Sequence, residues 1–146
     1  MTRDVLIRLS GLQAMEDDEG VVEVITAGDY FWKNNKHYLI YDEVMEGMDG
    51  TIRNTMKLTP EKLEIKKSGP VSANMVFEVD KKTQTHYATP MGEMLVEMTT
   101  SRIGFVEEDD HLKVEVEYSL DINYDHVSDC RIVLDVTSKG CAKLEL

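Results

Sequence analysis

The segment from His111 to Ile122 alternates without a break. Leu112, Val114, Val116, Tyr118, Leu120 and Ile122 fall on one side at a period of two, and Lys113, Glu115, Glu117, Ser119 and Asp121 on the other. Side chains of a pleated strand point to opposite faces in turn, so this pattern demands a strand with one dry and one wet face. Twelve residues is long against the five or six of a usual strand. Long one-sided strands suit a barrel wall. The apolar set is expected inside, with Glu115 and Glu117 exposed.

Shorter segments follow the same logic. Residues 3–12 place Val5, Ile7 and Leu9 on one face. Residues 21–33 place Val22, Val24 and Thr26 together, with Gly28 allowing a bend or bulge. The turn signal Asn34-Asn35 leads into a strand from His37 to Met45. Further strands are expected over Thr51–Leu58, around Leu63 and Ile65, through Met75, Phe77 and Val79, along Thr83 to Thr89, through Met94, Val96 and Met98, and from Cys130 to Val136. Thr89-Pro90-Met91-Gly92 fits a β-turn. The charged runs at 16–20, 80–82 and 107–110 and the Gly-containing turn at 47–50 separate strands, while the tail from Lys139 has no clear pattern. About eight to ten strands with no convincing helix predict an all-β chain, folded as a single antiparallel up-and-down barrel or, less economically, a sandwich. No linker or repeat divides residues 1–146.

The formal net charge of −12 disfavours nucleic-acid backbones and anionic membrane surfaces as partners. The N-terminus is charged and alternating, no apolar run approaches a bilayer span, and the expected location is cytoplasmic. Cys130 and Cys141 are then expected as free thiols.

Four segments are similar, in order and spacing, to the YwiB-like family of small bacterial proteins. They are Tyr38-Leu39-Ile40-Tyr41-Asp42-Glu43, Asn54-Thr55-Met56-Lys57-Leu58, Asn74-Met75-Val76-Phe77-Glu78 and Tyr87-Ala88-Thr89-Pro90-Met91-Gly92. The resemblance implies a lipocalin-like, or calycin-like, β-barrel. Its motifs are structural, so it implies no activity and no functional residue.

Chemical signatures are sparse. Asp121-Ile122-Asn123-Tyr124-Asp125 begins like a calcium loop, but His126 stands where Gly is needed and Ile132 where the bidentate Glu belongs. His126, Cys130 and Cys141 lack zinc spacing, so no metal site and no cofactor is expected. Nucleophile elbows, phosphate loops and dinucleotide fingerprints are missing, and no catalytic residue is identified. Glu43, beside Tyr41, is the one carboxylate with the setting of a perturbed acid.

The candidates that remain lie on apolar strand faces. Asn54 sits between Ile52 and Met56, Tyr118 between Val116 and Leu120, and Tyr87 between Thr85 and Thr89, while Met56 and Met98 supply pliable apolar surface. Buried polar groups need partners, from protein, water or ligand. Asn54, Met56, Tyr87, Met98 and Tyr118 are therefore the expected interior wall of a site for a small, largely apolar molecule in a non-enzymatic barrel. The competing readings are a side-chain-filled barrel that serves as a structural or interaction module, and an enzyme with a site of unfamiliar type. Residues 38–41 are apolar on both faces, which predicts a covering segment or a homodimer interface.

Overall fold

The computed structural model describes residues 3–11, 23–44 and 50–138. Ten strands follow one another: β1 (Asp4–Ser10), β2 (Glu23–Lys33), β3 (Lys36–Glu43), β4 (Ile52–Thr59), β5 (Lys62–Ser68), β6 (Ala73–Glu78), β7 (Lys81–Thr89), β8 (Gly92–Glu108), β9 (His111–Ile122) and β10 (Asp125–Ser138). Every ladder is antiparallel, and the sheet order β6-β5-β4-β3-β2-β1-β10-β9-β8-β7 is the chain order wrapped around itself. β1 pairs with β10, Val5 opposite Ser138 and Leu9 opposite Leu134. The remaining seam, between β6 and β7, carries one bridge, Ser72 to Ala88, whose two backbone bonds are 2.9 Å long. Threonine hydroxyls stand in this seam where a ladder would run. Thr85 Oγ1 accepts from the Asn74 N–H at 3.3 Å, and Thr83 Oγ1 donates to the Val76 carbonyl. The result is a nearly closed up-and-down barrel.

The long alternating strand is β9. Leu112, Val114, Val116, Tyr118 and Leu120 are 5% exposed or less, and Ile122 is half-buried. Glu115 and Glu117 point outward but are half-buried rather than exposed. Arg131 binds Glu115 at 2.7 Å and Arg102 binds Glu117 at 2.8 Å. These charged neighbours cover the outer face.

Tight turns use the residues that tolerate a left-handed backbone. Asn34 and Asn35 have φ of 54° and 61°, as a two-residue hairpin requires. Thr89 caps the turn at 90–91, its Oγ1 accepting from the Met91 N–H at 3.1 Å.

Several strand bounds differ from expectation: β1 runs Asp4–Ser10 rather than 3–12, β7 begins at Lys81, inside the charged run at 80–82, and β10 runs Asp125–Ser138 rather than from Cys130 to Val136. Val79 lies in the β6–β7 turn, not in a strand. β3 ends at Glu43, and Met45 lies outside the described residues. β4 runs Ile52–Thr59, so Thr51 precedes it. β8 extends for 17 residues, far past Met98, because a bulge between Thr100 and Arg102 shifts its register. The bulge inverts the parity: Val96, Met98 and Thr100 face inward before it, and Ile103, Phe105 and Glu107 after it. The expected turns at 16–20 and 47–49, Val22, Cys141 and the tail lie outside the described residues.

Gly28 marks the anticipated bend. β2 pairs with β1 from Glu23 to Asp29 and with β3 only from Asp29 to Lys33. A Cβ on Gly28 would lie 2.5 Å from Ile7 Cδ1 and 2.9 Å from the Ile40 carbonyl oxygen. Only a residue without a side chain allows this approach.

Candidate functional site

A polar row crosses the inner wall of β3, β4 and β5. Tyr41 is opposite Asn54, and Asn54 is opposite Lys67. Alternation explains it: Tyr41 follows inward Leu39, Asn54 precedes inward Met56, and Lys67 follows inward Ile65. Asn54 is 0% exposed, Tyr41 5% and Lys67 6%. Glu43, next on the inward face of β3, closes the cluster. The Lys67 ammonium donates to Asn54 Oδ1 at 2.8 Å and to Glu43 Oε1 at 3.1 Å, and Asn54 Nδ2 donates to the same Glu43 oxygen at 3.1 Å. A buried cation is tolerated when paired and hydrogen-bonded in this way. Burial, and then the Glu43 carboxylate, pushes the Tyr41 phenol well above its ordinary value.

The five residues singled out from the sequence occupy the inner face: Asn54 and Met56 on β4, Tyr87 on β7, Met98 on β8 and Tyr118 on β9. None is more than 6% exposed. Tyr118 packs edge-on against Phe77, ring centroids 4.8 Å apart. Burial first, then the Cys130 thiol, pushes its phenol up as well. Thr100, opposite Tyr118 on the neighbouring strand, is 1% exposed, and its hydroxyl has no hydrogen-bond partner among the described residues.

The cluster contains one residue that pattern reasoning passed over. Lys67 follows Lys66 and precedes Ser68-Gly69, which reads as a solvated turn. Its one available signal is parity with Leu63 and Ile65. Glu43 does meet its buried phenol neighbour.

The opposite rim holds a second network. His37 is buried, with Nδ1 2.7 Å from the Tyr30 hydroxyl and Nε2 3.2 Å from Glu107 Oε1. A carboxylate only accepts, so in the neutral imidazole Nε2 carries the hydrogen and Nδ1 accepts from Tyr30. The rings of Trp32 and Phe105 flank the imidazole at 4.7 and 5.5 Å. Burial, followed by Glu107, raises the Tyr30 phenol above its ordinary value. This network pins β2, β3 and β8 together at the rim.

Among the described residues no group of His, Cys, Asp or Glu could hold a metal ion. β10 does begin before His126, but the register shift between His126 and Ser128 turns His126 outward and exposed, while Cys130 faces the Tyr118 side. The two do not share a face. Outside the barrel, a cleft of about 360 Å³ opens where β2 leaves β3, lined by Gly28, Asp29, Ile40, Tyr41, Asp42 and Arg53 among others. The outward aromatics Phe31 and Tyr38 are cross-strand neighbours. Arg3 lies 5.1 Å from the Phe31 ring and Lys57 5.6 Å from the Tyr38 ring.

Ten meandering antiparallel strands around an apolar interior with a buried polar row define a small up-and-down β-barrel protein. Residues 7–134 match the model of the family described as Domain of unknown function (DUF1934), and the chain belongs to that family. It is 27% identical over 124 residues to the "Uncharacterized beta-barrel protein YwiB" of Bacillus subtilis (strain 168), covering 84% of this chain and 86% of that protein. The crystal structure of the ywiB protein from Bacillus subtilis superposes with a TM-score of 0.77, at 22% identity, over 93% of this chain and 92% of the other. The likeness establishes the shared fold.

Proposed function

We propose that the barrel binds a small, largely apolar molecule in its interior and performs no chemistry on it. The observation that carries this reading is the Thr100 hydroxyl, fully buried on the inner face without a partner among the described residues. A buried hydroxyl left unpaired costs about 1–3 kcal/mol, and a bound molecule with a polar atom offsets that cost. The surrounding wall suits such a molecule: Met56, Met98 and Phe77 are apolar and adaptable, and Tyr87, Tyr118 and Asn54 bring polar atoms among them. The calycin-like reading of the family resemblance fits the same use. The barrel wall is largely apolar inside and charged outside, the inverse of a membrane-spanning barrel. Together with a strongly acidic composition, this supports a protein that works away from membranes and nucleic acids. No helix among the described residues is long and apolar enough to cross a membrane.

The test is direct. Nile red, an uncharged fluorescent probe, is expected to bind the folded protein, and Met98→Trp to weaken that binding by filling the interior. A folded protein that leaves the probe in water, together with a destabilised Met98→Trp variant, would replace the carrier reading with that of a side-chain-filled structural module. Native mass spectrometry of freshly purified protein adds the mass of any retained molecule. It also shows whether two copies associate through the Tyr38–Ile40 face.

A further inference from the structure

The polar row has a charge balance that discriminates among ligands. Lys67 and Glu43 cancel one another inside the wall, at 6% and 13% side-chain exposure. Their hydrogen-bonding capacity does not cancel. An ammonium has three N–H bonds and a primary amide has two. Lys67 uses two of its three, on Glu43 and Asn54, and Asn54 uses one of its two, on Glu43. The Tyr41 hydroxyl, opposite Asn54 in the row, donates to no acceptor among the described residues. Three N–H and O–H bonds with no acceptor among the described residues thus stand side by side across β3, β4 and β5, in a place that is already electrically neutral.

We infer that the row Tyr41–Asn54–Lys67 selects an uncharged molecule that presents an acceptor oxygen, such as an amide, ester or ketone carbonyl, at the end of an apolar body. This rests on the carrier reading and deepens it. A carbonyl oxygen accepts two of the waiting donors and adds no charge. A carboxylate of the same shape accepts them too, but it brings a second negative charge beside Glu43 into a poorly solvated site, where like charges are costly. A cationic head finds its obvious partner, Glu43, already held by Lys67 and Asn54. Tyr41 also lines the external cleft where β2 leaves β3, so the row and the outer surface share one residue.

The experiment uses Nile red bound to the full chain, displaced by octanamide and, separately, by octanoate at a pH where the acid is ionised. Octanamide is expected to displace the probe at about tenfold lower concentration, equivalent to about 1.4 kcal/mol. In Glu43→Gln/Lys67→Met, which is neutral without a charged pair, that preference is expected to shrink toward unity while Nile red still binds. Tyr41→Phe, a milder change that keeps the ring, is expected to lower octanamide affinity alone. Equal or better displacement by octanoate overturns the selection and leaves the carrier reading standing. Displacement by neither compound, or an unchanged preference in both variants, removes the row from the site. Failure of Nile red to bind the wild-type protein removes both proposals together.

Discussion

Replacing Lys67 by methionine isolates the energetics of the polar row. Methionine keeps the length and apolar stem of the side chain, so the change is chiefly the loss of a charge and its hydrogen bonds. At 3.1 Å from Glu43 and an effective dielectric of about 20, the attraction between the two charges is about 5 kcal/mol. Much of it is offset by the cost of taking both groups out of water. Removing one partner forfeits the attraction and leaves the other's cost in place. Glu43 would lose its bond from Lys67 and keep the one from Asn54, in a wall where its side chain is 13% exposed. The expected loss is about 3 kcal/mol, at the lower end for breaking a buried pair because Glu43 keeps slight solvent access. Glu43→Gln/Lys67→Met leaves no unpaired charge and should recover most of that loss. Urea unfolding followed through the single tryptophan, Trp32, reads both variants. With a slope of about 1–3 kcal/mol per molar, Lys67→Met should lower the midpoint by at least about 1 M. A single variant with the wild-type midpoint, or a double variant no more stable than the single one, would refute the assignment of a paired, desolvated charge.

Thr100→Val removes the unpartnered hydroxyl at nearly constant volume and should raise stability by about 1 kcal/mol; a lower melting temperature would show that the hydroxyl is hydrogen-bonded in solution. Val116→Asp places an unpaired charge in the core and should cost several kcal/mol or abolish folding, whereas Glu117→Ala, on the wet face, should change stability by less than about 0.5 kcal/mol; equal denaturation midpoints would overturn the burial of β9. Tyr30, Tyr41 and Tyr118 all have phenols raised above their ordinary values. The unfolded chain therefore ionises first, so stability is complete below about pH 10 and falls as pH climbs toward the folded values. Tyr41→Phe and Tyr118→Phe should each flatten that fall in melting temperature, and tyrosinate absorbance should rise together with unfolding rather than before it.

Much of the barrel was legible because its physics is local. Alternation in β9 and β10 follows from burying one face of a pleated sheet, and Asn34-Asn35 encodes a left-handed turn in two residues. Legibility failed where the period breaks. The bulge after Thr100 moves the inward set from even to odd positions, so Ile103, Phe105 and Glu107 do not continue the pattern of Val96 and Met98. The displaced residue of the β10 bulge, between His126 and Ser128, likewise separates His126 from the face of Cys130. The candidate site was half legible. Asn54 betrayed itself as a polar residue on an apolar face, and Glu43 by its neighbour Tyr41. Lys67 did not, because a lysine is ordinarily a solvated residue. Only the pairing of β5 with β4 and of β4 with β3 brings it beside a carboxylate that makes its burial tolerable. The His37 network was invisible for the same reason: Tyr30 and His37 meet across one hairpin, but Glu107 arrives from a strand 70 residues away.

The ladder between β1 and β10 has a consequence for how the protein is made. A ribosome produces β1 well before its second neighbour, β10, so Val5 waits for Ser138 and Leu9 for Leu134. At about 5–20 residues per second the interval is on the order of ten seconds, whereas hairpins such as β2–β3 form within microseconds of emerging. Throughout that interval an apolar strand shows one unpaired edge to every other nascent chain nearby. Arg8 and Asp4 on the outward face of β1 are charges of the kind that discourage such pairing. Slow codons between β1 and β10 would prolong the exposure, and aggregation during synthesis should respond to translation speed over β9 and β10 more than to the stability of the finished barrel.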